Sequence, residues 1–191
     1  MEVLVPSSRP LRADARRNRE ALLAAARQAF LAGDADAHVE DIARNAGVAI
    51  GTLYRHFETR EALIEAVYRK EVDELCGVPA ALLETRSPDE ALRHFLMLLV
   101  DHAAVGKGMA VALQHIMTTN SPVFGEARTQ MADALARLLA AGASAGLVRD
   151  DITGTTLLHA LGGICALQVA DGWQDEARQI VSVLFDGLRI R

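Results

Sequence analysis

Residues 45–63 read NAGVAIGTLYRHFETREAL. Leu53 and Phe57 stand four residues apart, the spacing of one helix face. Thr52, Tyr54, Arg55 and His56 cannot all share that face, so a hydroxyl, a phenol and cations are turned outward. Upstream, Ile42, Ala46 and Val48 are apolar where two crossed helices pack, and Ala43 is small where they approach. Gly47 supplies a turn whose left-handed backbone costs glycine least. The pattern is that of a helix-turn-helix, and its short outward-facing helix suits a phosphate-lined groove. Buried alternatives exist for two of these side chains: a core tyrosine at 54 and a capping or core histidine at 56.

Working outward, the apolar spacing predicts helices throughout. The first covers 14–31, with Ala15, Leu22, Ala26, Ala29 and Phe30 as its stripe, Leu23 flanking, and Gly33 as its stop. A short second helix holds Val39, Ile42, Ala43 and Ala46, and the third starts near Ile50. Thr59 caps a fourth, built on Leu63, Ile64, Val67, Tyr68, Val72 and Leu75 and closed by GVP at 77–79. SPDE at 87–90 is a capping box with proline at the first helical position. That helix runs to about Val105, where GKG at 106–108 interrupts it. Further helices follow at 109–117, from NSP at 120–122 to Gly142, at 153–169 and at 174–188, with GLVRDD at 146–151 as a loop. The expectation is an all-α protein of about nine helices.

Composition agrees. The chain has 191 residues, 51% hydrophobic but only 4% aromatic, which favours helices over sheet. No apolar run approaches the roughly 20 residues that cross a bilayer. The start, MEVLVPSSRPLR, lacks a basic region before its short apolar patch and reads as a flexible tail, not a signal peptide. Cys76 and Cys165 lie far apart without CxxC spacing, so free thiols in a cytoplasmic protein are expected. No metal site and no cofactor are expected: His94, His102, His115 and His159 are scattered. GxSxG, P-loop and nucleophile–base patterns are missing, which argues against an enzyme. The net charge is −5, yet residues 1–32 hold six arginines (9, 12, 16, 17, 19 and 27) against three acids, while residues 61–191 carry eleven basic and seventeen acidic groups. A basic end on an acidic body suits an anionic partner docking at one end.

The stretch VEDIARNAGVAIGTLYRHFETREALIEAVY, residues 39–68, resembles the DNA-binding domain of the TetR family of transcriptional regulators. The resemblance covers about residues 13–70, and the remainder is most similar to the SbtR-type subgroup. It implies an N-terminal three-helix helix-turn-helix DNA-binding domain over 13–58 after a flexible basic tail, 1–12. A connecting helix over 59–78 and a C-terminal helical ligand-binding and dimerisation domain over 79–191 follow. It implies a homodimeric repressor that leaves a palindromic double-stranded DNA operator when a small-molecule effector binds. A DNA-bound regulator without an effector, or an activator, are the alternatives.

Carried over by position, Ala49, Ile50, Gly51 and Thr52 meet base edges, and Tyr54 and His56 bind phosphates. Arg60 stands where the family usually has lysine, and Arg55 is a base or a phosphate contact. One departure lies in GDADAHVED, 33–41, where Ala37 and His38 replace the usual hydroxyls. There Asp36 takes the cap, or His38 takes the phosphate. Arg9 and Arg12 form an arm reaching DNA, or belong to the tail.

In the body, Ala177, Ile180, Val181, Leu184, Phe185 and Leu188 follow 3-and-4 spacing. Leu157, Leu158, Leu161, Ile164 and Cys165 make the preceding helix apolar nearly all round, so that helix must be covered on more than one face. The dimer interface implied by the resemblance is Leu157, Leu161, Ile164, Ile180, Val181, Leu184, Phe185 and Leu188. Phe95, Met117, Phe124, Met131, Gln168 and Trp173 are the candidate lining of an apolar effector pocket, although methionine is also ordinary core filling.

Overall fold

The computed structural model describes residues 9–32, 38–117, 121–166 and 172–190. Nine helices run through the described residues: α1 (Arg9–Leu31), α2 (Val39–Asn45), α3 (Ile50–His56), α4 (Arg60–Thr85), α5 (Pro88–Gly108), α6 (Ala110–Met117), α7 (Val123–Ser144), α8 (Gly154–Ala166) and α9 (Trp173–Leu188). The chain divides into two compact units. One comprises 1–68 and 108–120, the other 69–107 and 121–191.

In the first unit α1, α2 and α3 pack on one another. Leu22, Leu23, Ala26 and Phe30 of α1 are buried with Ile42 and Ala43 of α2 and Leu53 and Phe57 at α3. Ala15, expected in the α1 stripe, is exposed. The helix opens at Arg9, earlier than the expected Asp14. Pro10 does not prevent this, because a first-turn residue has no intrahelical bond to donate. So 9–12, expected within the tail, have helical backbone; residues 1–8 and the expected stop and cap at Gly33, Asp36 and Ala37 lie outside the described residues. Leu63, Ile64 and Val67 at the start of α4 are also buried, as are Met109, Ala112, Leu113 and Ile116 around α6. The Oγ1 of Thr59 accepts the Ala62 N–H at 3.1 Å, the expected cap of α4.

The second unit corrects the expected end of α4. The helix passes through Gly77 and Pro79 and ends at Thr85. Proline removes one backbone bond and crowds the preceding turn. Six helical residues nevertheless follow it, among them buried Leu82, whose packing offsets that loss. At the start of α5 the capping box is half formed. Ser87 N–H donates to Glu90 Oε2 at 3.4 Å, but its hydroxyl lies 2.7 Å from Asp89 Oδ1 instead of capping the backbone. This hydrogen bond, first among the causes, holds the Asp89 carboxyl below its usual range.

The core of this unit gathers Phe95, Leu96 and Val100 of α5, Leu135 and Leu138 of α7, Leu157 and Leu161 of α8, and Val181 and Phe185 of α9. α7 and α8 meet closely at Gly154. A Cβ there would lie 2.8 Å from the Ala136 nitrogen and closer still to the Ala132 carbonyl oxygen. Val148 and Arg189 form an antiparallel bridge, with Arg149 N–H donating to the Leu188 carbonyl at 2.9 Å, and this ties the end of α9 to the loop after α7.

Candidate nucleic-acid interface

The turn between α2 and α3 is built by backbone bonds. Gly47 N–H donates to the Arg44 carbonyl and Val48 N–H to the Ala43 carbonyl, each at 3.0 Å. Gly47 has φ +70°, and a Cβ there would meet nothing within 4 Å. Its need for glycine is therefore conformational rather than steric. Ala49 is the N-cap of α3 without a side-chain cap, and its carbonyl accepts the Thr52 N–H at 2.8 Å.

α3 has seven residues and buries only Leu53, with Phe57 buried at its C-cap. Ile50 and Tyr54 are 38% and 47% exposed and four residues apart, so they share a face. Gly51 and Arg55, also four apart, are exposed beside them, and Thr52 and His56 are half-buried on the flank. The buried alternatives for Tyr54 and His56 thus fare differently: Tyr54 is turned to solvent, while His56 is partly covered. Its ring centroid lies 6.3 Å from that of Phe57. His38 is the exposed N-cap of α2, and it caps with its carbonyl, which accepts the Asp41 N–H at 3.0 Å, while its side chain makes no cap bond. Arg60 is half-buried at the first position of α4.

One contact escaped the sequence. The Arg19 guanidinium of α1 lies over the Phe57 ring, its Cζ 4.6 Å from the centroid. Such a cation–π contact is worth about 0.5–1 kcal/mol at an exposed site. The two residues stand far apart along the chain, so no local pattern announces the pair. The side chains of Arg9 and Arg12 lie outside the described residues.

Two family models match the chain. "Bacterial regulatory proteins, tetR family" covers residues 22–67, which contain this turn and helix, and "Transcriptional regulator SbtR-like, C-terminal domain" covers residues 87–190. The chain belongs to the TetR family of transcriptional regulators. As a TetR-family protein it is a DNA-binding regulator and not an enzyme. Its fold is similar to that of the TetR regulator SCO0520 from Streptomyces coelicolor, at TM-score 0.76 and 41% identity over 90% of this chain and 98% of that one. A TetR regulatory protein from Mycobacterium vanbaalenii is similar at TM-score 0.73 and 33% identity, over 95% and 100% of the two chains. The transcriptional repressor KstR2 of Rhodococcus jostii is 29% identical over 120 residues, a match that spans 60% of this chain and 59% of KstR2.

The remaining expected sites lie on the body helices and α6. Phe95 and Trp173 are buried in the body core, Met131 packs against it, and Phe124 is half-buried. Gln168 and the side chain of Met117 lie outside the described residues. Of the expected interface, Leu157, Leu161, Val181, Phe185 and Leu188 are buried in the chain's own core. Ile180 is 44% and Val183 72% exposed, and Leu184 and Ile164 are half-buried. His102 is half-buried; burial holds its imidazole below the usual range, partly offset by the Glu71 carboxylate. Burial raises the Cys76 thiol to about 11 and also raises that of Cys165. Neither thiol is in a disulfide. Among the described residues no helix is long and apolar enough to cross a membrane.

Proposed function

We propose that the protein is a homodimeric repressor. Two copies of α3 enter successive major grooves of a palindromic operator, and a small, largely apolar effector bound in the body lowers DNA affinity. The observation that carries the reading is the outward face of α3, where Ile50, Gly51, Tyr54 and Arg55 are exposed behind the Gly47 turn. A two-turn helix with an aromatic, a cation and a small residue at its approach fits a major groove about 12 Å wide. Ala49, Ile50, Gly51 and Thr52 read base edges; Tyr54 and His56, with His38 and Arg60, hold phosphates; Arg55 takes either role. The similarity to KstR2, a repressor by name, supports repression. For the dimer, the surface we assign is Ile180, Val183, Leu184 and Ile164, because large apolar side chains at 44% and 72% exposure call for a cover. Phe95, Phe124, Met131 and Trp173 are the proposed effector lining.

The test is enrichment of DNA from a random-sequence library by the full chain. The expected product is an inverted repeat with half-sites about one helical turn apart. Tyr54→Ala should bind it weakly while keeping its thermal stability. Enrichment of single, unrepeated sites would refute the dimeric reading. Full binding by Tyr54→Ala would refute the assignment of the face.

A further inference from the structure

We propose that Arg19 of α1 is a phosphate contact, seated on the Phe57 ring at the rim of the recognition helix. The proposal rests on the reading of α3 as that helix and adds a residue from a different element. Three observations carry it. First, Arg19 is exposed, and its guanidinium lies over Phe57, with 4.6 Å from Cζ to the ring centroid. Phe57 is itself buried as the C-cap of α3, so the ring is a rigid seat. Second, its neighbours on α1 have acidic partners: Arg16 faces Glu20 at 3.8 Å, and Arg17 pairs with Asp14. Among the described residues Arg19 has no carboxylate partner, so its donors are left to solvent. Third, the ring beneath it belongs to the residue after His56, whose own ring lies 6.3 Å away.

The chemistry follows from the shape of the group. A guanidinium stacked by one face keeps its in-plane N–H groups outward, where a phosphate accepts two of them side by side. In the proposed reading His56 holds a phosphate at the end of α3, and a cation seated on the ring of the next residue stands beside that contact. The competing role is purely structural: the carbonyl end of α3 also attracts a cation, and the stack alone would help hold α1 to α3.

The experiment separates the two. Affinity of the full chain is measured by fluorescence anisotropy across a salt series, for wild type, Arg19→Gln and Arg19→Lys. The probes are a duplex enriched by the wild type from a random library and an unrelated duplex of equal length. Arg19→Gln should flatten the plot of log affinity against log salt by about 0.9 per bound protomer. It should weaken low-salt binding about tenfold on both duplexes, because a phosphate contact is blind to sequence. Arg19→Lys should restore the slope, and the melting temperature of Arg19→Gln should fall by no more than the few degrees that a stack worth about 0.5–1 kcal/mol supplies. An unchanged slope in Arg19→Gln, with or without a lowered melting temperature, overturns the proposal and leaves Arg19 a packing residue. Failure of Arg19→Lys to restore the slope also overturns it. If the wild type enriches no duplex, the reading of α3 fails first, and the proposal falls with it.

Discussion

Replacing Gly154 by alanine should loosen the body more than any other single methyl added to this chain's described helical glycines. A Cβ at 154 would lie 2.8 Å from the Ala136 nitrogen and nearer still to the Ala132 carbonyl oxygen, where ordinary contact begins at 3.4 Å. Both atoms are α7 backbone, so neither can turn aside as a side chain would. α8 must shift off α7, and overpacking of this kind costs roughly 1–3 kcal/mol or more. Alanine recovers about 0.4–1 kcal/mol by restricting the unfolded chain. The net loss should be about 2 kcal/mol, which moves a urea midpoint down by about 1 M for a slope near 2 kcal/mol per M. Trp173, the only tryptophan in the sequence and a buried residue of the body core, makes its fluorescence the readout. Protein concentration must be held constant, since association would shift the midpoint. Gly77→Ala in α4 is the control: its Cβ would meet nothing within 4 Å, and it should be neutral or stabilising. A Gly154→Ala midpoint equal to wild type would refute the argument that glycine serves the close approach of α8 to α7.

Three further outcomes follow from the same geometry. Gly47→Ala should cost about 1 kcal/mol, because φ +70° suits glycine and disfavours alanine although the space is open; denaturation followed by helical circular dichroism checks it. Val183→Glu should turn a dimer into a monomer in light scattering after gel filtration, and an unchanged mass would remove the α9 surface from the interface. Burial holds the His102 imidazole below its ordinary value of 6.5, so the unfolded chain binds more protons than the folded one as pH drops through that value. The stability linked to this group is therefore fully present above 6.5 and declines below it, and His102→Gln should flatten the urea midpoint's fall across that window.

The turn and the recognition helix were legible because local chemistry determines them. Gly47 must take a left-handed backbone, and Leu53 and Phe57 have only one face to share, which leaves Tyr54 and Arg55 outside. The Thr59 cap is equally local. What escaped depends on tertiary partners. Pro79 reads as a helix stop until buried Leu82 is seen to hold the next turn. The α9 stripe was visible, but periodicity does not say what covers it. Ala177, Val181, Phe185 and Leu188 face the chain's own core, while Ile180 and Val183 on the other side stay exposed. The Arg19–Phe57 stack joins α1 to the end of α3, and its two residues share no local motif.

The central claim is that the exposed face of α3 reads an operator. Footprinting of the full chain on the DNA upstream of its own gene, repeated with Tyr54→Ala, tests it most directly. The account predicts a protected inverted repeat with two half-sites about one turn apart, lost in the variant. Protection that survives intact in Tyr54→Ala would contradict it, because the DNA would then be held by some other surface.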